Sequence, residues 1–397
     1  MFKQYADSIL SRLPQGRLLS LDVFRGLTIA AMVLVNNPGS WSYVYSPLKH
    51  AVWHGYTPTD LIFPFFVFIV GISIFIVVER EIKKGTSRST LLKAGLVRAL
   101  KLFALGIFIA LFFYDFIAPS YSWLSSELQQ VRFLGVLQRL ALVYMATLAI
   151  VLFYKPADLW KWFWGLLIGY AVALNYLPYT NDEGDWLHGR LEHGNNLAAW
   201  LDSLIIASKH LYYSNAEPFA FDPEGLLSTL PAIASCLAGV FTGQLITSSK
   251  LTLRYKVKLL TISGLALLVL GHLWGLFLPV NKALWTSSYV LVSTGWALVL
   301  LAVLTWLLDV KGYKRWSAPF VVFGANAIFF YVFSALVARL LIMIPVGTTS
   351  LHGLLYFKYF QPTFGYHLGS LIFALTFSLL SYFLMHWLYK RQIFFKV

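Results

Sequence analysis

Long apolar runs separated by short polar stretches fill almost the whole chain. A helix that crosses a bilayer needs about 20 mostly apolar residues. Ten segments meet that need: 18–36, 60–79, 94–114, 133–154, 159–178, 226–247, 257–278, 286–308, 319–341 and 368–389. The runs are too long and too continuously apolar for the alternating strands of an outer-membrane barrel, and a helix satisfies its own backbone groups in hydrocarbon. The pattern predicts an all-α polytopic membrane protein, with about ten transmembrane helices in one bundle and a single domain over 1–397. Three connections, 37–59, 179–225 and 342–367, are long and polar. The alternate ones are short and basic, and no internal repeat is visible.

The basic residues predict an orientation. With the N-terminus inside, the inner segments, including Lys93, Arg98 and Lys101, collect 22 Lys and Arg. The outer segments hold six: Lys49, Arg132, Arg190, Lys209, Lys282 and Lys358. By the positive-inside rule both termini are expected in the cytoplasm and the three long loops outside. Arg25, Arg139 and Arg339 fall within spans.

Composition narrows the class. Of 397 residues 58% are hydrophobic and 12% charged, against roughly 25% charged in soluble proteins. Soluble enzymes, coiled coils and disordered chains are excluded. The net charge of +14 reads as attraction to anionic membrane lipid rather than to nucleic acid. A single cysteine, Cys236, excludes an intramolecular disulfide, and no Cys/His cluster predicts a metal site. Asp22 and Arg25 interrupt the first apolar run and no small-residue cleavage site follows, so no cleavable signal peptide is expected. P-loop, G-x-S-x-G, H-E-x-x-H and Rossmann glycine patterns are missing.

The ionisable residues inside spans are functional hypotheses by default. Asp22 and Arg25 are three apart and share a helix face, so an ion pair competes with a ligand role. Arg139, beside Gln138, has no acid in its own span and calls for a partner, a polar cavity or an anionic ligand. Arg339 lies near a span end and is expected to snorkel. His272 and His386 read as packing residues. The densest polar cluster, Lys49-His50-Ala-Val-Trp53-His54-Gly-Tyr56-Thr-Pro-Thr-Asp60, precedes the second span. Asp60 suits the N-terminus of that helix, with Thr57 and Thr59 as caps. Imidazole exchanges protons near neutral pH, and a carboxylate can fix its tautomer. A catalytic histidine supported by Asp60 competes here with an interfacial aromatic belt.

Taken together, several motifs resemble the transmembrane acyltransferases related to heparan-alpha-glucosaminide N-acetyltransferase, and are similar to the bacterial NagX-type members. They are Arg17-Leu-Leu-Ser-Leu-Asp-Val-Phe-Arg-Gly26, Leu48 to Pro64, Phe66-Val-Phe-Ile-Val-Gly71, Gly135-Val-Leu-Gln-Arg139, Phe221-Asp-Pro-Glu-Gly225, Pro279-Val-Asn-Lys-Ala-Leu-Trp285 and Leu388 to Lys396. The resemblance implies an acetyl-CoA-dependent acetyltransferase in a bacterial cytoplasmic membrane. The catalytic histidine falls on His50 and an active-site asparagine on Asn36; the polar cluster adds Asp60 and His54 as supporting residues, and the resemblance gives His54 no catalytic role. Two departures bear on substrate choice: His54 replaces an asparagine, and Ser334 replaces a histidine of the lysosomal members.

On this reading acetyl-CoA enters from the cytosolic side, and Arg139, Arg25, Gln138, Asn326 and Ser334 are expected to line its path. An amino sugar of the glucosamine type arrives from outside at Asp222, Glu224, Asn281, Lys282 and Trp285. His50 then acts as general base or carries the acetyl group itself, while Asn36 donates to the oxyanion. An isologous homodimer is the symmetry-based expectation. The rival class is a secondary transporter or permease for amino sugars, which also fits ten helices with buried charges. The missing repeat and the polar cluster on one face count against it.

Overall fold

The structure, a computed structural model, describes residues 2–13, 18–181 and 183–395. Arg17 and Lys396, which belong to the basic split and to the motifs above, lie outside the described residues. The helices are α1 (Phe2–Leu10), α2 (Leu19–Asn36), α3 (Ile62–Lys83), α4 (Arg88–Leu111), α5 (Val136–Phe153), α6 (Leu159–Tyr176), α7 (Leu197–Ile205), α8 (Thr229–Thr247), α9 (Leu253–Trp274), α10 (Ser287–Leu304), α11 (Ala318–Ala325), α12 (Ala327–Met343), α13 (Leu351–Leu354), α14 (Gln361–Phe364) and α15 (Tyr366–Lys390). Three two-residue hairpins decorate the long loops: β1 (Tyr179–Thr180) with β2 (Trp186–Leu187), β3 (Leu191–Glu192) with β4 (Asn195–Asn196), and β5 (Pro345–Val346) with β6 (Thr349–Ser350).

All ten apolar segments are helical over most of their length, as expected for an all-α polytopic membrane protein. Among the described residues eight helices are long and apolar enough to cross a membrane, and α11 with α12 adds one span bent by 75°. The break falls at Asn326. The segment expected as the fifth span is α6, whose aromatic, Lys161-bearing sequence falls short of that apolarity. α4 begins at Arg88 rather than 94. Arg98 and Lys101, grouped above with the inner segment, therefore lie within α4.

Polar caps set where the spans start. Thr57 and Asp60 form a reciprocal capping box with Pro58 in the first turn, so the chain enters α3 at a defined angle. The first donors of α2 are met from another helix: Leu19 and Ser20 N–H donate to the Asp309 carboxylate at 3.0 and 3.1 Å, where the α2 dipole also favours negative charge. Arg339 donates to the carbonyls of Ala110 and Phe112 at 3.3 Å each. It caps the end of α4 rather than only snorkelling.

Small residues bring the spans together. α3 and α8 cross at Gly71 and Gly239, where an added Cβ would lie 1.8 Å from the Cys236 carbonyl oxygen and 2.0 Å from that of Phe68. Backbone meets backbone, the usual device where lipid supplies no hydrophobic drive between helices. The long loops converge on one face. Trp53 Nε1 donates to Leu191 O at 2.7 Å, Gly39 N to Ser370 O at 3.2 Å, and Gly55 pairs with Asn281.

Gly71→Ala is expected to lower stability by about 1–3 kcal/mol, read as a reduced melting temperature in detergent. A neutral result would mean that α3 and α8 can separate without cost. For orientation, single cysteines within 183–196 should react with a membrane-impermeant maleimide on intact cells, and those at 83–88 should not. The reverse pattern would invert the topology. Cys236 is buried and adds no background.

Candidate active site

A cavity of about 330 Å³ opens on the loop-bearing face. Its mouth carries His50, Trp53, Lys282, Arg132, Glu224 and Tyr212, and its deeper wall is apolar, with Met32, Val35, Ile62, Phe63, Val136 and Tyr331. The organising group is the Asp60 carboxylate, placed at the start of α3 by the capping box. Its Oδ2 accepts Ala51 N–H at 2.9 Å, Thr57 N–H at 2.9 Å and the Thr57 hydroxyl at 3.1 Å. Its Oδ1 lies 2.6 Å from His50 Nδ1. A carboxylate that already accepts from three donors makes Nδ1 the protonated ring nitrogen and leaves the Nε2 lone pair unprotonated. Asp60 is buried and His50 is 53% exposed, so the ring is anchored at one nitrogen and accessible at the other.

Lys282 completes the cluster. Its Nζ lies 3.5 Å from Asp60 Oδ1, 3.0 Å from His50 Nδ1 and 3.4 Å from Nε2. Burial lowers the lysine pKa, against the opposing pull of Asp60 and Glu224. An ammonium here shares the Asp60 charge.

The acidic loop is clamped from the segment before α5. Arg132 Nε and Nη2 meet Asp222 at 2.7 and 2.5 Å, and Nη2 meets Glu224 at 2.5 Å. Burial works against this guanidinium charge, but the two carboxylates outweigh it and raise its pKa. Burial also opposes the Glu224 charge, yet Arg132, Arg139 and Lys282 lower its pKa. Asp202, on α7, receives Asp222 N–H at 3.2 Å and Leu226 N–H at 2.9 Å. Burial raises its pKa to about 6 despite those donors.

The structure brings some expected site residues together and separates others. His50, Asp60, Asn36, Lys282 and Glu224 line the one cavity. Asn36 is exposed there, while Asn37 spends its amide on Val33 O at 2.6 Å. Asp222 sits behind, held by Arg132. Asn281 is buried and braces the His50 loop, donating to Trp53 O at 3.0 Å and accepting from Leu284 N at 2.9 Å. His54 lies beside it, 3.4 Å from Asn281 Nδ2, and burial lowers its pKa. Arg139 is fully buried, bonded to Gly225 O at 3.1 Å and to the Ser228 hydroxyl, and lies 5.1 Å above the Trp285 ring. Trp285 adopts φ of 50°, unusual for a bulky residue, and donates to Ser235 at 3.1 Å. This pair forms a layer under the acidic loop. Gln138 packs against Gly106 and Gly135. Ser334 bonds to Tyr331 O at 2.9 Å, one turn from a cavity residue.

Two expected cofactor residues lie elsewhere. Arg25 pairs with Asp22 at 3.9 Å in the first half of α2. Asn326 is engaged on both sides by the chain end: its amide donates to Ile393 O at 2.9 Å and its oxygen accepts Phe395 N–H at 2.9 Å. Arg132, Asp202, Tyr212 and Tyr331 were not singled out from sequence. Their partners are remote in the chain, so no local spacing marks them.

The catalytic-region family model described as heparan-alpha-glucosaminide N-acetyltransferase matches residues 17–273. Two curated relatives carry that name. The Homo sapiens protein is 33% identical over 366 residues, covering 81% of this chain and 53% of its own length. The Mus musculus protein is 31% identical over 359 residues, covering 80% and 53%. The chain thus spans about half the length of the curated relatives it matches. His50, Asp60, Arg132, Asp202 and Glu224 fall inside the matched stretch, and Lys282 follows it.

Asp202 yields a pH test. Its folded value of about 6 lies above the ordinary carboxylate value of about 3.9. The folded chain keeps a proton between roughly pH 4 and 6 that the unfolded chain has released, so stability from this group is full below that window and lost as pH rises through it. Melting temperatures from pH 4 to 7 should fall more steeply for the wild type than for Asp202→Asn. Equal slopes would remove Asp202 from the balance.

Proposed function

We propose that this chain, which belongs to the heparan-alpha-glucosaminide N-acetyltransferase catalytic family, is a multi-pass membrane acetyltransferase. It moves the acetyl group of cytosolic acetyl-CoA to the amino group of a glucosamine-type sugar on the loop-bearing side of a bacterial cytoplasmic membrane. The observation that carries this reading is the His50–Asp60 pair, 2.6 Å apart at the mouth of a cavity with an apolar inner wall. The wall of Met32, Ile62, Phe63 and Val136 suits the acyl-thioester end of the donor, and about 330 Å³ is at the small end of ligand pockets. The nucleotide would therefore lie outside this chamber.

The chemistry follows from the pair. His50 Nε2 accepts the proton that the amine loses on attacking the thioester carbonyl, and returns a proton to the departing thiolate as the C–S bond breaks. Asp60 holds the ring orientation and stabilises the transient imidazolium. On this reading Asn36, which lines the same cavity, donates to the developing oxyanion, and Glu224 supplies negative charge toward the amine. In the second route Nε2 itself takes the acetyl group before the sugar arrives. The aromatic rings of Trp53 and Tyr212 offer a face for a sugar ring.

Purified protein incubated with labelled acetyl-CoA and a panel of amino sugars tests the proposal. An acetylated sugar is expected. Sugar uptake into vesicles without acetylated product would favour the transporter instead. His50→Ala should cut turnover by about 10²–10⁴-fold while leaving the fold intact. Asp60→Asn should fall in the same direction and lower stability too, since an amide NH2 then faces either His50 Nδ1 or the Ala51 and Thr57 N–H groups in place of an accepting oxygen. His54→Ala is the control. Near-normal turnover in His50→Ala with loss in His54→Ala would overturn the assignment. Labelled acetyl trapped on His50 without sugar would identify the second route.

A further inference from the structure

A second cavity, of about 310 Å³, lies among α3, α4 and α5, away from the His50 cluster. Val77, Val97 and Leu148 contribute apolar walls, and Arg98, Lys101 and Tyr144 the polar surface. Both cations belong to α4 and lie on one face, three residues apart. At 1.5 Å per residue they sit about 15 and 20 Å along the helix from Arg88. The surrounding surface is apolar: Val77, Leu96, Val97 and Leu100 are exposed, as a lipid-facing flank would be.

Among the described residues no carboxylate forms an ion pair with either charge. The Arg98 guanidinium lies 5.0 Å above the Tyr144 ring, and its buried Nε has no hydrogen-bond partner among the described residues. No carboxylate is among the residues lining the groove. The acids at the adjoining end of α3 are committed: Glu79 to Lys83, and Glu81 to Arg80 and Lys84. A cation at bilayer depth needs water, a partner or a ligand anion.

We propose that this groove binds the phosphate headgroup of an anionic phospholipid. Arg98 presents a planar fork matched to phosphate oxygens, and Lys101 adds a second charge one turn further along α4. The exposed valines on either wall accept the acyl chains. A lipid fits better than a water-soluble phosphate because the cations are flanked by exposed apolar residues, which a dissolved anion would have to cross. The site stands apart from acyl transfer, and its test does not depend on that activity.

The whole protein is placed in phosphatidylcholine nanodiscs with or without phosphatidylglycerol, and lipid retention by native mass spectrometry is followed with the melting temperature. The wild type should retain phosphatidylglycerol in preference to phosphatidylcholine and melt higher with it. The double variant Arg98→Gln/Lys101→Gln should lose about thirtyfold in apparent affinity, whereas Arg98→Lys, which keeps the charge and loses the fork, should fall between it and the wild type. If the double variant does not fold, Lys101→Gln alone, at an exposed position, should lose about fivefold. Undiminished phosphatidylglycerol retention in a folded variant would overturn the proposal. So would stabilisation through Arg98 and Lys101 by coenzyme A and not by the lipid.

Discussion

The Asp60 carboxylate is the constraint on which the site depends. It closes the first turn of α3 through Thr57, fixes the loop backbone at Ala51, and holds the His50 ring. One buried group therefore sets both the start of a membrane span and the direction of an imidazole. The neighbouring Tyr289 hydroxyl donates to the Asp60 carbonyl at 2.5 Å, which ties the same turn to α10. A carboxylate so placed resists replacement, because both of its oxygens accept hydrogen bonds and a substitute without two acceptors leaves donors unpaired.

Charge around this group is arranged in layers. Lys282 and Glu224 face the cavity, Arg132 binds Glu224 from one side, and Asp222 and Asp202 stand behind it. Each layer is secured by backbone as well as by side chains, so the acidic loop is a built wall rather than a loose cover. Arg132 lies between the Glu224 and Asp222 carboxylates and offsets their charge, which limits the net charge that must be buried there. The apolar inner wall then lies beside a polar mouth, the usual arrangement where a few groups orient a ligand whose bulk is held by shape.

Helix packing gives the site its rigidity. The crossing at Gly71 and Gly239 seats α3 against α8 at backbone distance, and α3 is the helix that begins at Asp60. Asn326 plays a related part at the break between α11 and α12, where its side-chain amide satisfies backbone groups of Ile393 and Phe395 and ties the chain end to the break. A polar residue deep in an apolar segment is thus explained by backbone satisfaction.

The sequence by itself determined the helices, because apolar runs in lipid have one way to satisfy their backbone. It also pointed to the His50–Asp60 pair, whose members are ten residues apart in one polar cluster ahead of α3. The family resemblance pointed to Asn36 and the 279–285 motif to Lys282, and both line the cavity with His50. The sequence did not reveal that Arg132 clamps Asp222 and Glu224, some 90 residues away, or that Lys282 reaches His50 across 232 residues. Nor did it separate Asn281, a brace, from Lys282, its neighbour in the cavity. Those outcomes were decided by tertiary structure. Coulombic and hydrogen-bond partners act over a few ångströms of space, and only the packing of α3, α8 and α10 sets which distant residues come that close.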